Sequence, residues 1–254
     1  MRKLFLLLFC VYFPLSELSA QKVEGNHAFK NGEVMEYDAY YNLGPLWIKL
    51  GYAKFTVDTI GPNYKFTVTA YNLPKWDWVY SLHTVHTSIC TPDLTPLFYS
   101  AITTENGVYT EHTYDYDTEN NKILRWSKGT SNPKGSSKVF GITPYSQDIL
   151  SSIYVARNVD LTQNNGVDIP FYPIYDDTVV TVLGSVVGLE KITTRMGVEY
   201  NCKKCTAIPP ANTLFDASEP VFVWVTDDKR LIPILVEAKI MIGRVKIYLS
   251  AYKE

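Results

Sequence analysis

Residues 47–71 read WIKLGYAKFTVDTIGPNYKFTVTAY. Phe55 and Val57 alternate with polar residues before Gly61-Pro62-Asn63, and Phe66, Val68 and Ala70 do so after it. A repeat of two belongs to a β-strand, whose successive side chains point to opposite faces. Gly-Pro-Asn is turn chemistry. The stretch predicts an antiparallel hairpin with a kink at Gly51.

The same rhythm extends in both directions, over 33–41 upstream and 83–89, 96–103, 109–116, 122–126, 167–175, 178–190, 197–208, 220–226, 232–239 and 243–252 downstream. Tyr, Val, Ile, Thr and Phe dominate these runs, as strands prefer. Asn106-Gly107, Asn120-Asn121, Asp176-Asp177 and Asp227-Asp228 separate them as turns. Polar outer positions and the scarcity of helical connections argue for antiparallel rather than parallel pairing. One segment differs. SQDILSSIYVARNV at 146–159 spaces Ile149, Leu150, Ile153 and Tyr154 as one face of a short helix, with Ser146 as its N-cap. Gln147 and Asp148 suit the positive end of its dipole. Residues 127–145 are rich in Ser, Gly, Pro and Lys and read as a mobile loop within one domain. The expected fold is all-β and mainly antiparallel: about a dozen strands in a large meander sheet curled into a partly open barrel, with one short helix. A two-sheet sandwich is the alternative.

The chain has 254 residues, 46% hydrophobic and 20% charged, with a formal net charge of −2. That is globular composition rather than disordered or fibrous. No internal stretch reaches the roughly 18 apolar residues of a membrane helix. The near-neutral balance gives no basic footprint for nucleic acid. Residues 1–20, MRKLFLLLFCVYFPLSELSA, have the charged start, apolar run and small-residue end of a secretory signal peptide. Cys10 sits inside the apolar run behind bulky Phe9, which argues against lipoprotein acylation. Residues 21–254 then form a single barrel-like domain that retains Cys90, Cys202 and Cys205.

Export makes a disulfide permissible. Cys202 and Cys205 form C-x-x-C and are a possible disulfide pair, although residues three apart in a regular strand face opposite sides. Pairing of either with Cys90, and free buried thiols, are the other readings. No second C-x-x-C and no suitably spaced His pair supports zinc, and no metal or cofactor is expected. His83 and His86 fall on opposite faces of a predicted strand. Asp115 and Asp117 share a solvated face, and the Asp doublets sit in turns. The chain has no G-x-S-x-G, H-E-x-x-H or P-loop motif, so the sequence points away from an enzyme. Arg157, at the helix end, is expected to clasp an acidic strand residue. The most unusual local feature is LPKWDWVYSLH at 73–83. On a strand, Trp76, Trp78 and Tyr80 would share one face, near Trp47, and could line a site for an apolar ligand or belong to the core.

Three stretches, in order, resemble the exported bacterial proteins grouped as domain of unknown function 3108. They are FKNGEVMEYDAYYNLGPLWIKLGYAKFTV at 29–57, SQDILSSIYVARNVDL at 146–161 and PVFVWVTDDKRLIPILVEAKIMIGRVKIYLSAYK at 220–253. The first carries G-E-x-x-x-Y and then G-x-A; the last runs through Asp-Asp and Arg-Leu-Ile-Pro to an Ile-Gly strand. The resemblance implies a YmcC-like fold, an incompletely closed antiparallel meander, and an envelope location. It brings no activity and no catalytic residues. The expected function is that of an exported, non-catalytic binding module for a lipid or other amphipathic small ligand. A structural or assembly partner using its sheet edges is the alternative, and a hydrolase ranks behind both. The expected setting is the periplasm, or outside the cell, as a monomer with at most peripheral membrane association.

Overall fold

The computed structural model describes residues 25–161, 169–171, 174–175, 177–179, 182–207, 219–240 and 242–254. The expected signal peptide lies outside these residues, as do parts of the strands expected over 167–175, 178–190 and 197–208. The first half of the chain is β1 (Val34–Leu43), β2 (Leu46–Ile60), β3 (Asn63–Asn72), β4 (Leu82–Cys90), β5 (Pro96–Glu105), β6 (Val108–Asp117), β7 (Lys122–Gly129) and β8 (Asn132–Gly141). The helix α1 (Ile149–Arg157) follows. The second half is β9 (Ile169–Phe171), β10 (Ile174–Tyr175), β11 (Thr178–Val179), β12 (Val182–Thr193), β13 (Glu199–Ala207), β14 (Val221–Thr226), β15 (Pro233–Lys239) and β16 (Arg244–Lys253).

Fourteen strands form one sheet in the order β8-β7-β6-β5-β4-β3-β2-β1-β16-β15-β14-β13-β12-β9, and β10 with β11 makes a separate hairpin. Neighbours are antiparallel throughout, and the first and last strands, β1 and β16, pair with each other. The chain therefore meanders out to the edge at β8, crosses through α1, and meanders back from the other edge. Two strand edges remain, so the sheet curls without closing, and the sandwich alternative is excluded because every strand but the two of the β10–β11 hairpin joins one continuous sheet.

The hairpin read from residues 47–71 is β2–β3, with Ile60 opposite Asn63. Gly51 lies within the unbroken β2, and the position needs glycine because a Cβ there would sit 2.3 Å from the carbonyl oxygen of Tyr71. The β1–β2 register shifts beside it, between Ala39 and Tyr40.

Two expectations need correction. Residues 127–145 are no mobile loop: they hold the end of β7 and all of β8, the edge strand. Pro133 lacks a donor and is tolerated at an edge, and Lys134 and Lys138 discourage further pairing, so an edge strand can read as a loop. Gly135, at φ 75°, packs 3.0 Å from the Trp126 ring by its would-be Cβ. The N-cap of α1 is Asp148, not Ser146. The Asp148 carboxylate accepts from the Leu150 and Ser151 amides at 2.9 and 2.8 Å. Ser146 instead accepts from the Thr143 amide at 2.9 Å.

The helix lies against the inner face of β3 and β4, and aromatic packing fixes it there. Tyr154 stacks on Phe66 with ring centroids 3.9 Å apart, and Phe29 meets both rings edge-on. Arg157 makes the expected clasp, with Glu33 just before β1. Its Nη1 and Nη2 donate to the two carboxylate oxygens at 2.6 and 2.8 Å. Nη2 also donates to the Ala28 carbonyl, and Nε to the Arg230 carbonyl, at 3.0 and 3.1 Å. Both side chains are buried, so each charge depends on this set of partners.

Candidate functional site

The concave face is well filled near α1, but a cavity of about 220 Å³ remains beyond it. Side-chain size explains its position. Across β2, β3 and β4 the register aligns Ala53, Ala70 and Thr84. On the opposite wall it aligns Gly184 with Ala207. Small residues face each other where Phe66, Tyr99 and Tyr154 fill the adjoining region. The helix supplies the floor through Ile149 and Ile153 of its apolar stripe and through Ala156, and Phe55, Val68 and Val223 complete an almost wholly apolar lining.

The few polar groups at the wall already have partners. His86 Nε2 lies 2.8 Å from Thr84 Oγ1, which in turn lies 2.6 Å from Thr103 Oγ1. His86 Nδ1 is hydrogen-bonded to the Tyr99 hydroxyl. Burial, aided by nearby His112, pushes the His86 pKa down to about 4, so the ring is neutral at pH 7. Arg157 borders the cavity, but its guanidinium is engaged by Glu33 and two carbonyls. The Tyr37 phenol, pushed far up by burial, donates to the Pro233 carbonyl at 2.9 Å. Cys205 brings a thiol to the wall, but burial pushes its pKa up to about 11, so the site offers mainly shape and apolar surface.

Beyond the helix start, Ser88 donates to Asp148 at 2.7 Å and lies 3.4 Å from the Cys90 sulfur. Burial raises the Asp148 carboxyl to about 6, against the opposing effect of the Ser151, Ser88 and Leu150 hydrogen bonds. Ser88 and Cys90 have no exposed surface, so this cluster is a structural cap without access for a substrate. Among the described residues, no group of three His, Cys, Asp or Glu could hold a metal ion.

The aromatic residues singled out in the sequence do not form this site. Residues 73–81 are not a strand: Pro74–Trp76 is a 3₁₀ turn, favoured by Pro74 at its start. The alternation of a strand does not apply there, and the three rings are not aligned. Trp76 donates through Nε1 to the Lys49 carbonyl at 2.8 Å, Tyr80 donates to Glu105 at 3.0 Å, and Trp78 is 83% exposed. Trp47 is half-buried beside Tyr40, with the Arg195 guanidinium 4.3 Å over its ring. None of the four lines the cavity. The Cys202–Cys205 disulfide is also absent, and Cys90, Cys202 and Cys205 are free. Cys202 and Cys205 both belong to β13, where a spacing of three puts them on opposite faces. Cys205 faces the cavity. His83 is exposed and His86 buried, as opposite faces of β4 require.

The small residues that create the cavity carried a weaker signal. Ala53 lies within the G-x-A of β2, and Ala70 ends the alternation of β3. A small residue at an inward position marks missing volume only once the opposite wall is known.

Fold and cavity together define an open, barrel-like antiparallel β protein with an apolar interior site and no helix long and apolar enough to cross a membrane among the described residues. The chain belongs to the family described as "Protein of unknown function (DUF3108)", whose model matches residues 36–250. Its fold is similar to that in the crystal structure of a "Beta-barrel-like Protein of Domain of Unknown Function DUF1849" from Brucella abortus. The two share 11% sequence identity and a TM-score of 0.59, over 88% of this chain and 97% of that one. Comparison with curated proteins gives no match.

Proposed function

We propose that this protein is a non-catalytic binding module that takes an apolar or amphipathic ligand, such as an acyl chain, into the cavity above α1. The observation that carries the reading is the cavity's size and apolar lining. An apolar cavity of roughly 150 Å³ stays dry and takes up benzene. At about 24 cal/mol per Å³, 220 Å³ left empty costs about 5 kcal/mol. That is comparable with the whole stability of a marginal domain. Each methylene a ligand buries there returns about 0.8 kcal/mol. The signal-peptide pattern of residues 1–20 supports action outside the cytoplasm, in the periplasm first and beyond the cell second.

Native mass spectrometry of the mature protein, purified without detergent from its own cells, tests this. A bound mass released by denaturation is the expected result. A bare chain that also gains no thermal stability from added fatty acid or phospholipid would refute it.

The assembly-partner reading keeps one specific support. On its β9 side, β12 is paired only over Val182–Gly184 among the described residues, and Val187 and Leu189 beyond are exposed. An added strand could pair there. Crosslinking through position 189 distinguishes this reading, because ligand binding needs no second protein.

A further inference from the structure

The connections β1–β2, β3–β4, β5–β6 and β15–β16 lie at one end of the sheet, since the strands alternate direction and β16 runs antiparallel to β1. They form a continuous rim. Asn42 pairs with Arg244, Trp76 donates to the Lys49 carbonyl, and the Asn106 amide donates to the Ser81 carbonyl at 2.8 Å. Each of these connections raises apolar side chains into solvent: Leu43 and Leu46, Trp78 and Val79, Val108, and Ile242. Trp78 and Ile242 are 83% and 66% exposed. The carboxylates of the rim are engaged. Asp77 accepts from Asn72 at 2.8 Å, and Glu105 from Tyr80. Exposed Lys75 stands over the Trp76 ring at 5.0 Å. At the other end of the strands, the exposed turns carry Asp93, Glu119, Asp227 and Asp228 with exposed Ile60, and the β12–β13 turn exposes Met196 and Val198.

We infer that this rim docks the protein onto a phospholipid bilayer, with Trp78, Val79 and Ile242 entering the headgroup region. Two features favour a bilayer over a protein. The apolar groups stand one or two to a turn on four separate turns, with polar backbone between the turns, whereas a protein interface has a contiguous apolar centre. Trp, scattered aliphatic residues and a neighbouring Lys suit the interfacial zone of a membrane. The cavity lies towards the same end: Ala70 is two residues from the end of β3, Thr84 two from the start of β4, and Ala207 ends β13. This surface goes beyond the binding reading and stands apart from it. Vesicle binding with an empty cavity would leave the docking surface intact, and a ligand-filled protein that ignores vesicles would sink it alone.

The test is flotation of the mature protein with vesicles of phosphatidylethanolamine and phosphatidylglycerol, and with vesicles of phosphatidylcholine. The wild-type protein floats with the first. Combined Trp78→Ser and Val79→Ser lowers the bound fraction about tenfold or more, and Ile242→Ser lowers it on a separate turn. Lys75→Glu weakens binding to the anionic vesicles more than to the neutral ones, and Ile60→Ser at the opposite end binds as wild type. Failure of the wild type to float overturns the inference. So does equal loss with Ile60→Ser, or retention of binding by folded rim variants. A concentration-dependent dimer lost on rim substitution, without vesicle binding, would assign the rim to a second copy of this chain.

Discussion

Replacing Ala70 with Leu should stabilise the empty protein and weaken ligand binding. Ala70 is buried, borders the cavity and stands between Ala53 and Thr84. A Leu there adds three carbons in space that is otherwise empty. At about 0.8 kcal/mol per buried methylene the gain is roughly 2 kcal/mol. Two kcal/mol corresponds to a rise in Tm of about 4–8 °C for a domain of this size. The same volume is denied to a ligand, which loses roughly 2 kcal/mol of burial, or about 30-fold in affinity. Calorimetry of delipidated protein reads the first effect, and native mass spectrometry of lipid occupancy reads the second. In a site that is tightly packed, Leu would overpack it and Tm would fall. A fall in Tm, or a gain with ligand occupancy unchanged, refutes the reasoning.

Other expectations follow from the buried polar groups. Arg157→Leu strands the Glu33 carboxylate and should cost about 3–5 kcal/mol in urea unfolding, while adding Glu33→Leu should recover much of the loss. A double variant no better than the single one counts against the clasp. Asp148 and His86 should give opposite pH slopes between about pH 4 and 6. The folded Asp148 pKa is raised, so its contribution is full below its unfolded value and is lost as pH rises towards 6; the folded His86 pKa is lowered, so its contribution is full at neutral pH and lost as pH falls towards 4. Asp148→Asn should therefore become more stable with rising pH across this window, and His86→Gln less stable, each by up to about 1.4 kcal/mol per pH unit. Parallel curves for both variants would contradict the burial of these groups. Alkylation of the unfolded, unreduced chain, expressed from residue 21, should label Cys90, Cys202 and Cys205, with Cys90 protected in the folded protein because it is buried and its thiol is pushed up. Labelling of one cysteine alone would mean that a disulfide exists.

The strands were legible because their information is local. In β2–β3 the apolar spacing and the Gly-Pro-Asn turn agree, and in α1 the stripe at 149, 150, 153 and 154 could not serve a strand. Errors arose where local propensity and tertiary role diverge. The composition of β8 reads as loop because an edge strand needs Pro and Lys more than β-branched residues. The spacing of Trp76, Trp78 and Tyr80 matches a strand, yet Pro74 turns that segment into a 3₁₀ element and leaves Trp78 in solvent. The charge of Asp148 suits the helix start, but which oxygen caps the helix depends on where the chain enters from β8.

The sequence by itself determined the antiparallel β architecture, the helix α1, the one α-helix among the described residues, and the membership shown by residues 36–250. The elements rest on periodicity and turn residues within a few positions of each other, and the membership on the order of three stretches along the chain. Only the tertiary structure decided that β1 pairs with β16, that Arg157 meets Glu33 across 124 positions of chain, and that Ala53 and Ala70 face a void with Gly184 and Ala207. A cavity is volume that distant strands fail to fill. That failure depends on how the sheet curls, which no short window of sequence contains.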